Sequence, residues 1–314
     1  MSDKNLDIIT IGESLIEFST NQKLDEAECL HKYYGGDSLV VAVAASRLKS
    51  KVGFITCLGN DAFKDYLLKS WENEGLDTSC VSTSDDNNGL YLVSRAPGEA
   101  KEFIYYRKKI APAKVSIDNI KEDYIKSAKV VYASGVTQSL SIQARESVRK
   151  AFSIAKENGV MTAYDPNFSN RLTTIETAKE QLDEILPLID VLFISDKHDI
   201  KYLLEIDSIE KASKILSDSG IHNVVIKSSN NKGYYVTANQ NTVFVPYYTT
   251  TVVDTTSTGD TFNGAYLHSI TKSYTPVEAA KIAAIAAGIQ AQGIGAIKSI
   301  PYFDEVYNIY KAEA

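Results

Sequence analysis

Cysteine and histidine, the residues that build disulfide frameworks and zinc sites, are scarce in this sequence. Its three cysteines are an odd number without CxxC spacing, which favours reduced, buried thiols over a disulfide framework. The four histidines are far apart in the chain and form neither an HxH nor an HExxH pattern. The sequence therefore does not indicate a zinc centre, and no Ser-His-Asp order indicates a hydrolase.

Long hydrophobic runs and an excess of basic residues are also absent. The most apolar run, IAAIAAGI at 282–289, is far shorter than the roughly 20 residues that span a bilayer. The N-terminus has no apolar export segment. We therefore expect a cytoplasmic protein without a membrane partner. The net charge of −7 disfavours a nucleic-acid partner, although local arginines and lysines can still attract an anionic substrate.

A regular alternation of short apolar and longer amphipathic segments dominates the chain. Strands are predicted at 6–12, 51–59, 128–135, 159–167, 190–195 and 222–228, and helices at 37–50, 61–75, 141–158 and within 275–293. In the last of these, Thr275 is the predicted N-cap, Pro276 the first helical residue, and Glu278 completes a capping box. Asp37 is the predicted N-cap of the first helix. The alternation predicts an α/β fold with a mainly parallel central sheet covered by helices on both faces. The 314 residues allow two domains or one large domain.

Two segments, 13–36 and 86–110, interrupt this rhythm. Both alternate apolar and polar residues, and the second resembles a hairpin with a turn at Pro97-Gly98. They predict a small antiparallel sheet inserted into the larger domain as a lid. The predicted core then consists of 1–12, 37–85 and 111–314.

Ligands of such sheets bind beyond the carboxyl ends of the strands, so the loop DTTSTGD at 254–260 is of interest. An apolar helical pattern follows it. The backbone N–H groups of Ser257, Thr258 and Gly259 would be free at the start of that helix, where they can bind an anion. Asp260 could then accept a proton from a substrate hydroxyl. Alternatively, Asp260 only caps its helix.

The loop and the apolar helix, DTTSTGDTFNGAYL at 254–267, resemble the C-terminal signature of the ribokinase-like (PfkB) carbohydrate kinases. The segment YYGGDSLVVAVAASRLKSKVGFITCLGNDAFKDYL at 33–67 resembles their N-terminal signature. The similarity extends over nearly the whole chain. It implies a ribokinase-like fold and an ATP-dependent sugar kinase that uses Mg²⁺. It also implies that Asp260 is the catalytic base and that the amides of 257–259 form the anion hole.

Within that family, three segments look most like 2-keto-3-deoxygluconate kinases: GGD at 35–37, GLYL with IYYRK at 89–92 and 104–108, and YDPNFSNRL at 164–172. By this resemblance the substrate contacts are Gly36, Asp37, Tyr91, Tyr105, Arg107, Asn167, Arg171 and Asp260. Arginine suits the carboxylate of a sugar acid. The alternatives are arginines in ordinary surface ion pairs, a kinase for a neutral sugar such as ribose or fructose, and a catalytically weak sugar-binding protein.

The nucleotide side is marked by VVIKSSNNKGYYV at 224–236, which resembles the strand-loop-strand that flanks ATP in the family. A plain hairpin turn is the alternative. By resemblance the ATP contacts are Asn167, Ser195, Lys227, Ser229, Gly233, Thr256 and Gly259. Metal-binding residues are not assigned.

Three departures from the family pattern concern polar contacts. Val40 stands where asparagine is common beside the sugar, and Thr258 replaces a small alanine. The magnesium-linked N-x-x-E appears as SDKH at 195–198, with Asp199 adjacent but out of phase. Some relatives also hold a monovalent cation such as K⁺ beside the segments matching 252–254 and 288–298. Family members are commonly dimers or larger, and we expect self-association through the lid.

Overall fold

The computed structural model describes residues 5–248 and 251–313. Residues 1–4, 249–250 and 314 of the predicted core lie outside the described residues. The strands are β1 Leu6–Ile11, β2 Leu15–Thr20, β3 His31–Gly35, β4 Val52–Ile55, β5 Cys57–Gly59, β6 Leu76–Asp77, β7 Ser82–Ser84, β8 Gly89–Ser94, β9 Glu102–Tyr106, β10 Ala128–Ser134, β11 Met161–Asp165, β12 Val191–Ser195, β13 Asn223–Ser228, β14 Gly233–Ala238 and β15 Asn241–Pro246.

The helices alternate with these strands. They are α1 Asp37–Arg47, α2 Lys64–Asn73, α3 Glu122–Lys126, α4 Gly135–Gln138, α5 Ile142–Glu157, α6 Ile175–Ile185, α7 Ile209–Asp218, α8 Thr258–Thr271, α9 Pro276–Gln290 and α10 Phe303–Glu313. Short 3₁₀ turns occur at Ala111–Lys114, Ile117–Asn119 and Leu186–Leu188, and Asp196–Leu204 is π-helical. No helix in the described parts of the chain is long and apolar enough to cross a membrane.

The main sheet has nine strands in the order β15-β14-β13-β12-β11-β10-β1-β4-β6. Its strands pair in parallel from β13 to β6, and β14 and β15 add an antiparallel edge. Neighbouring strand residues point to opposite faces. Accordingly, Ile8 belongs to the core cluster that includes residues of α1, α8 and α9, whereas Ile9 belongs to the cluster that includes residues of α5, α6 and α7. The predicted α/β architecture with helices on both faces is confirmed.

A separate four-stranded sheet has the order β3-β2-β8-β9. Each predicted lid segment supplies one hairpin-like antiparallel pair, β2 with β3 and β8 with β9. The two pairs meet through β2 and β8, which run parallel. The prediction of an antiparallel small sheet is therefore wrong at its centre, because the two segments enter it from different places in the chain.

Two local predictions need correction. Gly36, with φ of 133°, is the N-cap of α1, and Asp37 is its first helical residue. The single strand predicted at 51–59 is broken at Thr56 into β4 and β5. Only β4 joins the main sheet, because β5 pairs with β7 instead. Buried, mostly apolar residues continue across the break, so the sequence pattern alone does not reveal it.

Candidate active site

One cavity of about 960 Å³ lies between the small sheet and the carboxyl ends of β1, β10 and β11. Residues from both sheets and from the 254–260 loop line it. All eight residues predicted to contact substrate are among them: Gly36, Asp37, Tyr91, Tyr105, Arg107, Asn167, Arg171 and Asp260. Residues that are up to 224 positions apart in sequence thus line one cavity. It lies at the carboxyl ends of the strands, where parallel sheets bind their ligands.

Asp260 lies in the first turn of α8 and is partly exposed to this cavity. The N-cap of α8 is Ser257, in the left-handed conformation, and it makes no side-chain capping bond. Asp260 is therefore not the N-cap of this helix. The side-chain amide of Asn167 donates a hydrogen bond of 3.5 Å to Asp260 Oδ1. Asn167 itself has a φ of 42°, a conformation that asparagine tolerates better than most residues.

The start of α8 leaves backbone donors available. Among the described residues, the N–H groups of Ser257 and Gly259 have no backbone acceptor, and Thr258 N makes a long bond of 3.4 Å to Thr255 O. Two of the three predicted donors are thus unpaired by the backbone. The Thr258 hydroxyl is turned back to the same Thr255 carbonyl at 3.1 Å, so its side chain does not displace the amides.

The surroundings of Asp260 raise the pKa of its carboxyl group. Burial of the carboxyl group, with repulsion from Asp37 and Asp165, raises its pKa well above the usual range. Lys227 opposes this shift. A carboxylate with a raised pKa is a stronger base than a solvated aspartate.

Lys227 belongs to a buried polar cluster beneath the loop. Its ammonium group pairs with Asp165, and Asn263 Nδ2 donates to the same carboxylate at 2.7 Å. Burial alone would lower the pKa of Lys227, but attraction to Asp165 raises it, so the side chain stays charged. A Cβ atom on Gly259 would lie 3.7 Å from the Lys227 ammonium. A fixed positive charge therefore sits beside the predicted anion hole.

The two predicted arginines are in different situations. Arg107 is 18% exposed and pairs with the buried carboxylate of Glu13. Arg171 is exposed at the cavity and makes no ion pair with any described residue. The alternative of ordinary surface ion pairs fits neither arginine, because the partner of Arg107 is buried and Arg171 has no ion-pair partner among the described residues.

Aromatic rings form one wall of the cavity. Tyr91, Phe103 and Tyr105 lie on one face of the small sheet, with ring centroids 5.5–6.3 Å apart. The Tyr91 hydroxyl donates to the buried carboxylate of Glu17. Such a wall offers apolar surface to the face of a sugar.

The predicted ATP contacts lie in two places: at or next to the cavity, and in the turn between β13 and β14 with the first residue of β14. Asn167 and Thr256 line the cavity, and Lys227 and Gly259 adjoin it. Ser195 lies beside Lys227 in the register of β12 and β13. Ser229 is exposed in the β13–β14 turn. Gly233 opens β14, where a side chain would collide with the Phe244 ring at 2.4 Å, so packing alone requires this glycine.

The departures from the family pattern have structural consequences. Val40 is fully buried in the core and does not line the cavity. Asp199 is buried in the π-helical segment, where Ser195 N and Phe168 N donate to its two oxygens at 2.7 and 3.0 Å. A π-helical turn contains one extra residue, which accounts for a carboxylate that is one position late. Asp199 therefore supports the loop that carries Asn167.

The charged residues at or behind the cavity that were not identified from the sequence as site residues include Glu13, Glu17, Arg95, Lys101, Lys108 and Lys109. Glu13 follows β1, a position where functional residues are expected, so its place was a usable signal. Glu17, Arg95 and Lys101 belong to the small sheet and its turn. Arg95 and Lys101 pair with Asp254, up to 159 positions away, and Glu17 pairs with Arg95. These distant contacts leave no local sequence pattern.

Comparison with known proteins identifies the family. A model of the pfkB family of carbohydrate kinases matches residues 5–302. The chain belongs to this family. A 5-dehydro-2-deoxygluconokinase from Clostridium beijerinckii is 25% identical, over 99% of this chain and 94% of the relative. Fructokinase-1 from Zea mays is 30% identical, over 96% of this chain and 97% of the relative.

A solved structure supports the ribokinase-like fold. The crystal structure of 2-dehydro-3-deoxygluconokinase from Thermotoga maritima has a TM-score of 0.90 to this chain at 21% identity. The alignment covers 99% of this chain and 100% of that structure. At this identity the similarity concerns the fold, and the protein is a sugar kinase by its family.

Proposed function

We propose that this protein is an ATP-dependent kinase that transfers a phosphoryl group to the terminal hydroxyl of 2-keto-3-deoxygluconate. The observation that carries the proposal is the carboxyl group of Asp260, which has a raised pKa and faces the cavity beside unpaired amides at the start of α8. A base and an anion hole side by side are what phosphoryl transfer to an alcohol needs.

In this mechanism Asp260 takes the proton of the sugar hydroxyl as the hydroxyl oxygen bonds to the γ-phosphorus, and the bond between that phosphorus and the leaving ADP oxygen breaks. Ser257 and Gly259 donate their N–H groups to the oxygens of the moving phosphoryl group. Lys227 adds positive charge, and Asn167 orients the Asp260 carboxylate. The small sheet covers the sugar and excludes water that would otherwise hydrolyse ATP.

Bound ATP with Mg²⁺ supplies the phosphoryl group and neutralises its charge. The described residues contain no group of three or more His, Cys, Asp or Glu arranged to hold a metal ion. Asp165 and Asp199 adjoin the site, but protein donors already occupy their oxygens. Mg²⁺ would therefore be held mainly by the phosphates of ATP and by water.

A sugar acid is favoured by the cations around the cavity. Arg107, Arg171, Lys108 and Lys109 line it, although the whole chain has a net charge of −7. Arg171 has no described carboxylate partner, so a substrate carboxylate can take that place. A neutral sugar is the second candidate, because the maize fructokinase is 30% identical. ADP release measured with a panel of keto-deoxy sugar acids, fructose and ribose separates the two.

Asp260→Asn tests the catalytic base. We expect kcat to fall by roughly 10²–10⁴-fold, because proton removal is lost, while sugar binding by calorimetry is retained. Asp65→Asn is the matched control, since Asp65 also lies in the first turn of a helix but does not line the cavity. Turnover within a few-fold of wild type for Asp260→Asn would show that the base is misassigned.

A further inference from the structure

Asp254 is a buried negative charge at the start of the 254–260 loop. It is 2% exposed, and Thr256 N and Oγ1 donate to its Oδ1 at 2.9 and 2.6 Å. The loop therefore folds around this carboxylate. An uncompensated charge here would repel an anion bound to the amides that follow, because partly buried charges are poorly screened.

Two cations already neutralise Asp254. Arg95 Nε donates to Oδ2 at 2.8 Å, and the Lys101 ammonium donates to Oδ1. Lys101 Nζ is also 3.4 Å from Thr256 Oγ1. Gly295 N is 3.3 Å from Oδ2. Both oxygens of this carboxylate thus have protein partners.

Two nearby carbonyl oxygens also accept hydrogen bonds. Gln290 Nε2 donates to Thr256 O at 3.0 Å and to Ala296 O at 3.1 Å. Gln290 Oε1 is a buried oxygen of this region without a hydrogen-bond partner. A hard cation that has lost its water needs several oxygen ligands at once. The residues beside 252–254 and 288–298 therefore do not fit the monovalent cation that the family resemblance implies.

Both cationic side chains that pair with Asp254 come from the turn between β8 and β9 of the small sheet. Arg95 directly follows β8, and Lys101 directly precedes β9. Arg95 is 7% exposed and also binds Glu17 at 3.2 Å, whereas the Lys101 side chain is 30% exposed. Lys101 is therefore the cation that can be removed with least damage to the buried network.

We propose that Lys101 is a positioning residue whose ammonium group takes the place of a monovalent cation, so that this kinase works without K⁺. By neutralising Asp254 it holds the 254–256 turn and lets the following amides bind the phosphoryl oxygens. The inference rests on the proposed function, since it assigns those amides to phosphoryl transfer.

The first test is kinetic, with ionic strength held constant by tetramethylammonium chloride. Wild-type kcat is expected to be the same with and without KCl. Lys101→Ala should lower kcat at least about tenfold without KCl, which corresponds to about 1.4 kcal/mol in the transition state. Saturating K⁺, NH₄⁺ or ethylammonium should restore most of it, and Lys101→Arg should keep activity. Lys23→Ala is the control, because Lys23 makes only an exposed pair with Glu99 at 3.5 Å.

A wild-type requirement for K⁺, or a Lys101→Ala loss that no cation restores, would overturn the proposal. A second readout does not depend on turnover. KCl at fixed ionic strength should raise the melting temperature of Lys101→Ala and leave that of wild type unchanged. A wild-type response to K⁺, or a variant response no larger than that of wild type, would contradict the inference. If no sugar is phosphorylated at all, the proposed function fails and this thermal test still stands.

Discussion

At the scale of single residues, Arg171 and Arg107 differ in how much of their charge a substrate can use. The charge of Arg107 is largely taken up by Glu13, whose carboxyl group is buried. Burial alone would lower the pKa of Arg107, but the Glu13 carboxylate raises it. Arg171 has no carboxylate partner among the described residues. We therefore propose that Arg171 recognises a substrate carboxylate and that Arg107 supports the cavity wall.

Arg171→Ala should lower kcat/KM for 2-keto-3-deoxygluconate by about 10–100-fold, because a hydrogen bond between charged groups contributes about 1.5–3 kcal/mol. For fructose or ribose the change should be less than about threefold, since no carboxylate is lost. The measurement is the ratio of kcat/KM values for acid and neutral sugars. Arg149→Ala, which removes an exposed arginine paired with Glu184, is the control. An equal loss for both sugar types would contradict the assignment.

At the scale of elements, the entry into α1 depends on Gly36. Its φ of 133° is a conformation that other residues rarely adopt, and a Cβ atom here would lie 2.3 Å from Glu13 O. The close approach brings the start of α1 against the end of β1, so that Glu13 and Asp37 both line the cavity.

Gly36→Ala should reduce the free energy of unfolding by several kcal/mol. Backbone strain accounts for roughly 1–3 kcal/mol of this loss, and the collision of the added Cβ atom with Glu13 O accounts for the rest. Gly220→Ala is a matched control, because Gly220 has a φ of 97° but no atom within 4 Å of the added Cβ. It should show the strain alone. Urea unfolding of both variants gives the comparison, and equal losses would show that contact with Glu13 O is unimportant.

The same elements show what sequence reasoning can predict. Strands such as β1, β10 and β12 and the capping box at Thr275 were predicted within a residue or two, because buried strands and caps have strong local patterns. The parallel pairing of β2 with β8 was missed, since it is set by where two distant segments meet. Asp260 and the cavity residues came from the resemblance to a family. Their catalytic and binding roles remain predictions.

The Asp254 network escaped prediction for a physical reason. Arg95 and Lys101 flank a hairpin turn, where charged residues are usually solvated. Only the docking of that turn against the 254–256 loop makes them partners of a buried carboxylate. Sequence patterns report local periodicity, and this contact is not local.

At the scale of the whole molecule, two layers of helices enclose the main sheet, and the small sheet stands apart with β3 and β9 at its edges. Ile104 and Tyr106 of β9 are exposed, at 37% and 59%. Apolar residues at a sheet edge are consistent with self-association, which remains a prediction. The layer formed by α8, α9 and α10 buries polar side chains, and one of these side chains, His268, links the stability of the fold to pH.

His268 in α8 is 1% exposed and lies between Ser50 Oγ, at 2.7 Å, and Tyr307 Oη, at 3.2 Å. Burial, with repulsion from Lys272, lowers its pKa to about 4 from the usual 6.5. Because the folded pKa is the lower one, the unfolded chain binds the proton first as pH falls. His268 therefore destabilises the fold progressively from pH 6.5 to about 4, by up to about 1.4 kcal/mol per pH unit.

Other groups make the total pH dependence a poor test. Asp260 and Glu13 have raised pKa values. Their contributions to the stability of the fold are therefore lost as pH rises through those values, whereas that of His268 is lost as pH falls. The pKa of Asp7 is lowered from 3.8 to about 2, because its hydrogen bonds to Lys129 and Lys51 outweigh the effect of burial. Its contribution to stability is therefore lost only as pH falls through that range. The informative quantity is the difference between wild type and His268→Gln, in which these other contributions cancel.

That difference should change by about 2 kcal/mol between about pH 7 and pH 5, in the sense that wild type loses more stability on acidification. Urea unfolding at both pH values measures it. His31→Gln, which removes an exposed histidine on the edge strand β3, should leave the pH dependence as in wild type. If His268→Gln also leaves it unchanged, the imidazole takes up its proton equally well in the folded and unfolded chain, and burial in the α8–α10 layer does not suppress its charge.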